Sequence, residues 1–140
     1  MRVLVLCTGN SCRSQMAEGF LKSFNSQWEV VSAGTEPSAK VHPKAIQVMK
    51  EVGVDISKGK PKSVNEFLNK EFDYLITVCG GAKESCPMFS GSVKNRIHIG
   101  FDDPTEALGS EDFILSEFTR IRDEIKRDFW GFYERTILIK

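Results

Sequence analysis

Cys7-Thr8-Gly9-Asn10-Ser11-Cys12-Arg13-Ser14 follows directly on the apolar run Val3-Leu4-Val5-Leu6, and this junction decides both the fold and the chemistry of the chain. A short apolar run, small polar residues and then an amphipathic stretch read as strand, loop and helix. A thiol, five intervening residues and an arginine can curl so that successive backbone N–H groups point at one centre, with Cys7 beneath and Arg13 alongside. Thr8, Gly9, Asn10, Ser11, Cys12, Arg13 and Ser14 would then line a cradle for an oxyanion. Amides of such a nest and of a helix N-terminus favour negative charge, and the planar Arg13 fork can hold a tetrahedral anion by two parallel hydrogen bonds. The same positive ends favour the thiolate form of Cys7. A loop that binds an anion therefore also arms a nucleophile.

Outward from this junction, strand-like and helix-like segments alternate. Met16, Ala17, Phe20, Leu21 and Phe24 fall on one helical face, and Trp28 to Ser32 reads as a second strand leading to a turn at Ala33-Gly34. Pro43 suits a helix first turn, Ala45, Ile46, Met49 and Val52 continue that helix, and Gly53 stops it. Val64, Phe67 and Leu68 suggest a short helix. Tyr74 to Val78 is a buried strand ending at Cys79, and Arg96 to Ile99 is a fourth strand, ending before Asp102 and Asp103. The stripe Phe118, Ile121, Ile125, Phe129 and Phe132 predicts a long final helix packed on the sheet. The expected fold is α/β, a three-layer sandwich around a four-stranded parallel sheet. Ligands of such sheets sit beyond the carboxyl ends of the strands. Cys7, Cys79 and Asp103 each follow a strand and so converge on one rim, and a strand order of 2-1-3-4 puts Cys79 beside Cys7.

Composition sets the surroundings. The 140 residues read as one domain, residues 1–140, able to bury about two thirds of its unfolded surface. Nineteen basic and nineteen acidic residues balance to zero net charge, which argues against a nucleic-acid or membrane-surface role, since both need a cationic excess. Four cysteines without a signal peptide point to a reducing, cytoplasmic setting in which thiols are kept for chemistry. Their spacings lack the short knuckle pairs of a structural zinc site. His42 and His98 read as structural, Asp102 as a turn former, and Trp28, Trp130 and the ten phenylalanines as core.

The segment Cys7 to Gly19, CTGNSCRSQMAEG, resembles the oxyanion loop of the thioredoxin-coupled arsenate reductases, which are similar to low-molecular-weight tyrosine phosphatases. Val31-Ser32-Ala33-Gly34-Thr35, the pair Cys79 and Cys86, and Gly100-Phe101-Asp102-Asp103-Pro104 extend the resemblance over nearly the whole chain. It implies that Cys7 attacks arsenate, Asp103 protonates the departing water, Cys79 then takes the Cys7 sulfur and releases arsenite, and Cys86 draws the disulfide onward. Ser14 would donate a hydrogen bond to Cys7 and Arg13 would orient the anion, while Cys12 has no required step. The implied reductant is thioredoxin, with glutaredoxin as the alternative, and a monomer is the expected state. If the residues after Cys79 are helical, positions seven apart lie about 10.5 Å apart along the axis, too far for a disulfide, so the Gly80–Cys86 segment is expected to unwind on oxidation. The resemblance also implies a potassium site built on an asparagine, a glutamate, a serine and an aspartate. Asn10, Glu18 and Ser32 match the first three, but the aspartate falls at or near Lys62, whose ammonium would take the cation's place, so no metal or other cofactor is expected.

Two rivals remain open from the residues themselves. A phosphatase on the same scaffold would share the cradle, although Thr105-Glu106-Ala107 after Pro104 and the stretch Glu36 to Lys40 supply no aromatic wall for a phosphotyrosine ring. A redox sensor that binds an oxyanion without turnover would need the cysteines but not the acid. Arsenate reduction with weak ester hydrolysis is the preferred reading.

Overall fold

A computed structural model describes residues 1–80 and 89–138. The central strand β1, Arg2–Cys7, is apolar from Val3 onward because both its faces are covered. Val3, Val5 and Cys7 point into one core, Leu4 and Leu6 into another, as the two-residue period of a strand requires. Replacing Leu6 by alanine would cost about 2–5 kcal/mol through the cavity it leaves.

The helix α1, Arg13–Phe24, and the strand β2, Glu29–Gly34, complete the first β–α–β unit. After α2, Pro43–Glu51, come β3, Glu71–Thr77, β4, Ser92–His98, and the long helix α3, Glu111–Leu138. The sheet order is β2-β1-β3-β4 with every pairing parallel. Residues of α1, α2 and α3 share the first core with Val3 and Val5, and the expected α3 stripe of Phe118, Ile121, Ile125, Phe129 and Phe132 lies entirely within it. The other face of the sheet packs against a 3-10 turn at Val64–Phe67 and against Phe89, giving the third layer.

Local chemistry explains the boundaries. Pro43 opens α2 behind His42, whose ring nitrogen accepts the Lys44 N–H, and Gly53 closes the turn beyond it with a φ of +80°, which glycine adopts without strain. The 64–67 turn is held by a capping box between Ser63 and Glu66. Three expectations need correcting. β3 and β4 each begin well before the expected starts at Tyr74 and Arg96, because Glu71 pairs with Ser92 through the main chain and Lys94 reaches Asp73 at 3.5 Å, and the exposed edge strand β4 forms without a hydrophobic run. Leu68 lies outside its turn and is exposed. Phe113 and Trp130, expected in the core, are 50% and 44% exposed. They sit on the outer side of α3, where Trp130 packs against Phe24 and Tyr133.

Candidate active site

Cys7 closes β1 opposite Gly34 of β2, and the chain turns at once. A Cβ on Gly34 would stand 2.3 Å from the Thr8 carbonyl oxygen, so only glycine lets the loop fold back over the strand end. At the apex Asn10 adopts a φ of +52°, a left-handed conformation that asparagine tolerates better than other side-chain-bearing residues. Its fully buried amide does the holding. Nδ2 donates to Ser14 Oγ at 2.8 Å and to Ser32 Oγ at 2.9 Å, and Oδ1 accepts the Lys62 N–H at 2.9 Å.

The sulfur of Cys7 lies at the floor of this loop, 3.4 Å from the Asn10 nitrogen and 3.1 Å from Ser14 Oγ. α1 starts at Arg13 with no side-chain cap, which leaves its first amide donors to whatever sits over the sulfur. Arg13 is buried. One arm of its guanidinium donates to the Phe101 carbonyl at 3.0 Å, and another stands 3.7 Å from the Asp103 carboxylate. The result is a cleft of about 300 Å³, lined by residues 7–13 with Ser38, Asp103, Thr105 and Glu106. A buried thiol, a ring of amides, a fixed guanidinium and a carboxyl at the rim can bind a tetrahedral oxyanion, attack its centre and protonate a departing oxygen.

The other expected residues fall as follows. Thr8, Gly9, Ser11 and Cys12 all line the cleft. Burial pushes the Cys12 thiol up to about 12, so Cys12 stays protonated and is a poor nucleophile. Cys79 is buried just past β3, the strand beside β1, where the Val78 N–H donates to the Leu6 carbonyl at 3.1 Å. It is disulfide-bonded, whereas Cys7 and Cys12 are free thiols, and it does not line the cleft. Cys86, and with it the expected unwinding of the Gly80–Cys86 segment beyond Gly80, lies outside the described residues.

Two expectations change. Asp103, not Asp102, is the turn former, because its Oδ1 accepts both the N–H and the hydroxyl of Thr105 at 3.0 and 2.6 Å. Asp102 instead faces Arg120 at 3.4 Å. The Lys62 ammonium turns away from Asn10, Glu18 and Ser32 to the Lys60 carbonyl; it is the main chain of Lys62 that meets Asn10, and Lys22 that pairs with Glu18 at 2.7 Å. His42 caps a helix and His98 bonds Thr77 at 2.7 Å, both consistent with structural roles.

A family model described as low molecular weight phosphotyrosine protein phosphatase matches residues 2–136. The chain belongs to this phosphatase family. Within it, an arsenate reductase of Halalkalibacterium halodurans is 44% identical over 133 residues, covering 94% of each chain. A solved structure described as an arsenate reductase in reduced state superimposes with a TM-score of 0.77 at 32% identity, covering 96% of this chain and 98% of the other. A thioredoxin-dependent arsenate reductase of Corynebacterium glutamicum gives a TM-score of 0.68 at 27% identity over 99% of this chain and 63% of that longer one.

Against this family background, the parts that the sequence did not reveal are the supports of the loop. Gln15 is buried and its amide reaches Asn10 and Lys60. A polar residue directly before the apolar Met16 and Ala17 was the available signal. Ser38 and the Phe101 carbonyl carried none, since each is brought in by the fold and not by any spacing from Cys7.

Proposed function

We propose that this chain reduces arsenate to arsenite by a relay through Cys7, Cys79 and Cys86, and that thioredoxin restores it. The observation that carries the reading is a second cysteine, Cys79, at the end of the strand adjoining the one that ends in Cys7. An ester hydrolase has no use for it. In the relay the Cys7 thiolate bonds to arsenic(V), and one arsenic oxygen leaves as water with a proton from Asp103. The Cys79 thiolate then attacks the Cys7 sulfur. The sulfur–arsenic bond breaks with its electron pair going to arsenic, which leaves as arsenite, and a Cys7–Cys79 disulfide remains. Attack by Cys86 on Cys79 frees Cys7, and exchange with a dithiol reduces the final disulfide. Both electrons come from sulfur, so no cofactor is needed.

Two further facts support this reading. The relatives and solved structures above are described as arsenate reductases, one of them thioredoxin-dependent. The cleft wall of Ser38, Thr105 and Glu106 offers no aromatic surface, so ester hydrolysis is expected as a weak side activity. No helix among the described residues is long and apolar enough to cross a membrane. The test supplies arsenate with thioredoxin, thioredoxin reductase and NADPH, and in parallel an aryl phosphate. Arsenite-linked NADPH oxidation far above the rate of ester hydrolysis is expected; hydrolysis without any arsenate-dependent NADPH oxidation would make the chain a phosphatase.

A further inference from the structure

A buried polar side chain needs partners, and those of Gln15, which is buried, bear on Cys7. Its Nε2 faces three acceptors at once: the Asn10 carbonyl at 3.2 Å, Asn10 Oδ1 at 3.2 Å and the Lys60 carbonyl at 3.1 Å. The amide oxygen could donate to none of these three oxygens, so the nitrogen must face them, its two N–H bonds shared among the three. Gln15 thereby ties the left-handed apex of the oxyanion loop to the segment 59–62. That segment in turn places the Lys62 N–H on Asn10 Oδ1 at 2.9 Å. Since a backbone N–H can only donate, the Asn10 amide is fixed with oxygen toward Lys62 and nitrogen toward Ser14 and Ser32.

The bonds that follow take their direction from this once Cys7 is a thiolate, which can only accept. Asn10 Nδ2 donates to Ser14 Oγ, so the Ser14 hydroxyl keeps its own proton for Cys7 Sγ, 3.1 Å away. On the other branch Ser32 accepts from Asn10 and donates to Glu18 Oε1 at 2.7 Å. A reversed Asn10 amide would present oxygen to Ser14, draw its proton away and leave the sulfur without that donor. A hydrogen bond donated to the charged form of a thiol favours that form.

We propose that Gln15 is a positioning residue for Cys7: by clamping the 59–62 segment against Asn10 it fixes the asparagine amide and so commits the Ser14 hydroxyl to the Cys7 sulfur. The proposal rests on Cys7 being the nucleophile, and its readout is independent of arsenate turnover.

The test is the rate at which iodoacetamide alkylates Cys7 at neutral pH in the reduced protein, followed by mass spectrometry of the Cys7 peptide. Gln15→Leu keeps the approximate volume and removes the amide. It should slow Cys7 alkylation about tenfold, the scale of one hydrogen bond to a charged group. In a Ser14→Ala background the same Gln15→Leu change should slow it no further, because its effect runs through Ser14. Gly59→Ala approaches from the other side: its Cβ would stand 2.6 Å from Gln15 Oε1 and displace the amide without altering α1, giving a smaller slowing in the same direction. This variant decides the matter if Gln15→Leu does not fold. Equal slowing by Gln15→Leu with and without Ser14 would overturn the proposal, as would wild-type alkylation in folded Gln15→Leu or, where that variant does not fold, in Gly59→Ala.

Discussion

The two halves of the cleft are held very differently. On the β1 side, Asn10 and Ser14 are buried and tied to each other, to Cys7 and to β2 by bonds of 2.8–3.4 Å, and the buried Arg13 is held by the Phe101 carbonyl at 3.0 Å. On the β4 side, Asp103 is 26% exposed, one of its oxygens is taken by Thr105, and the other stands 3.7 Å from Arg13. Its neighbour Asp102 reaches α3 through Arg120, which also serves Glu117 and Glu124. The difference fits the two tasks proposed for these residues. Gripping a transition state requires donors that do not reorganise, whereas an acid that gives up a proton each cycle must regain one from water.

Substitutions on the two sides should therefore fail in different ways. Cys7→Ser should remove both arsenate reduction and ester hydrolysis, by about a thousandfold or more, as for nucleophile removal elsewhere; residual hydrolysis near wild type would place the nucleophile elsewhere. Cys79→Ser should stop steady-state arsenite production while leaving aryl phosphate hydrolysis within a few-fold, which separates the electron relay from the anion seat. Asp103→Asn should lower kcat for both reactions by about 10²-fold or more, the usual worth of a positioned acid, with little change in competitive inhibition by inorganic phosphate.

The smallest effect lies behind the seat. Burial, reinforced by the Lys44 ammonium, holds His42 below its ordinary value of 6.5, and in its neutral form Nδ1 caps α2. Because the unfolded chain takes up that proton first, the contribution is complete above the unfolded value and is lost as the pH falls below it. His42→Asn, which keeps a cap without titrating, should give a shallower fall in Tm between about pH 7 and pH 5. An unchanged slope would assign the acid sensitivity to other groups.

The fold and the seat were legible in the sequence for a common reason: both are written in local patterns. The Val3–Leu6 run, the α3 stripe and the Cys7–Ser14 spacing each state their geometry within a few residues, and the strand order then places Cys79 beside Cys7. What stayed hidden depends on contacts between distant segments. Nothing near Lys62 says that its backbone, and not its ammonium, would meet Asn10. Nothing near Asp102 and Asp103 says which of the two would cap the following turn. The outer positions of Phe113 and Trp130 escaped for a related cause, since residue type alone reports hydrophobicity but not which side of α3 faces water.

The account depends most on sulfur supplying the electrons. Fully reduced protein mixed with excess arsenate, without thioredoxin or any other thiol, should release close to one arsenite per chain and lose two free thiols, with the new disulfide mapped to Cys79 and Cys86. Persistence of all free thiols, or arsenite formation with no disulfide, would contradict it.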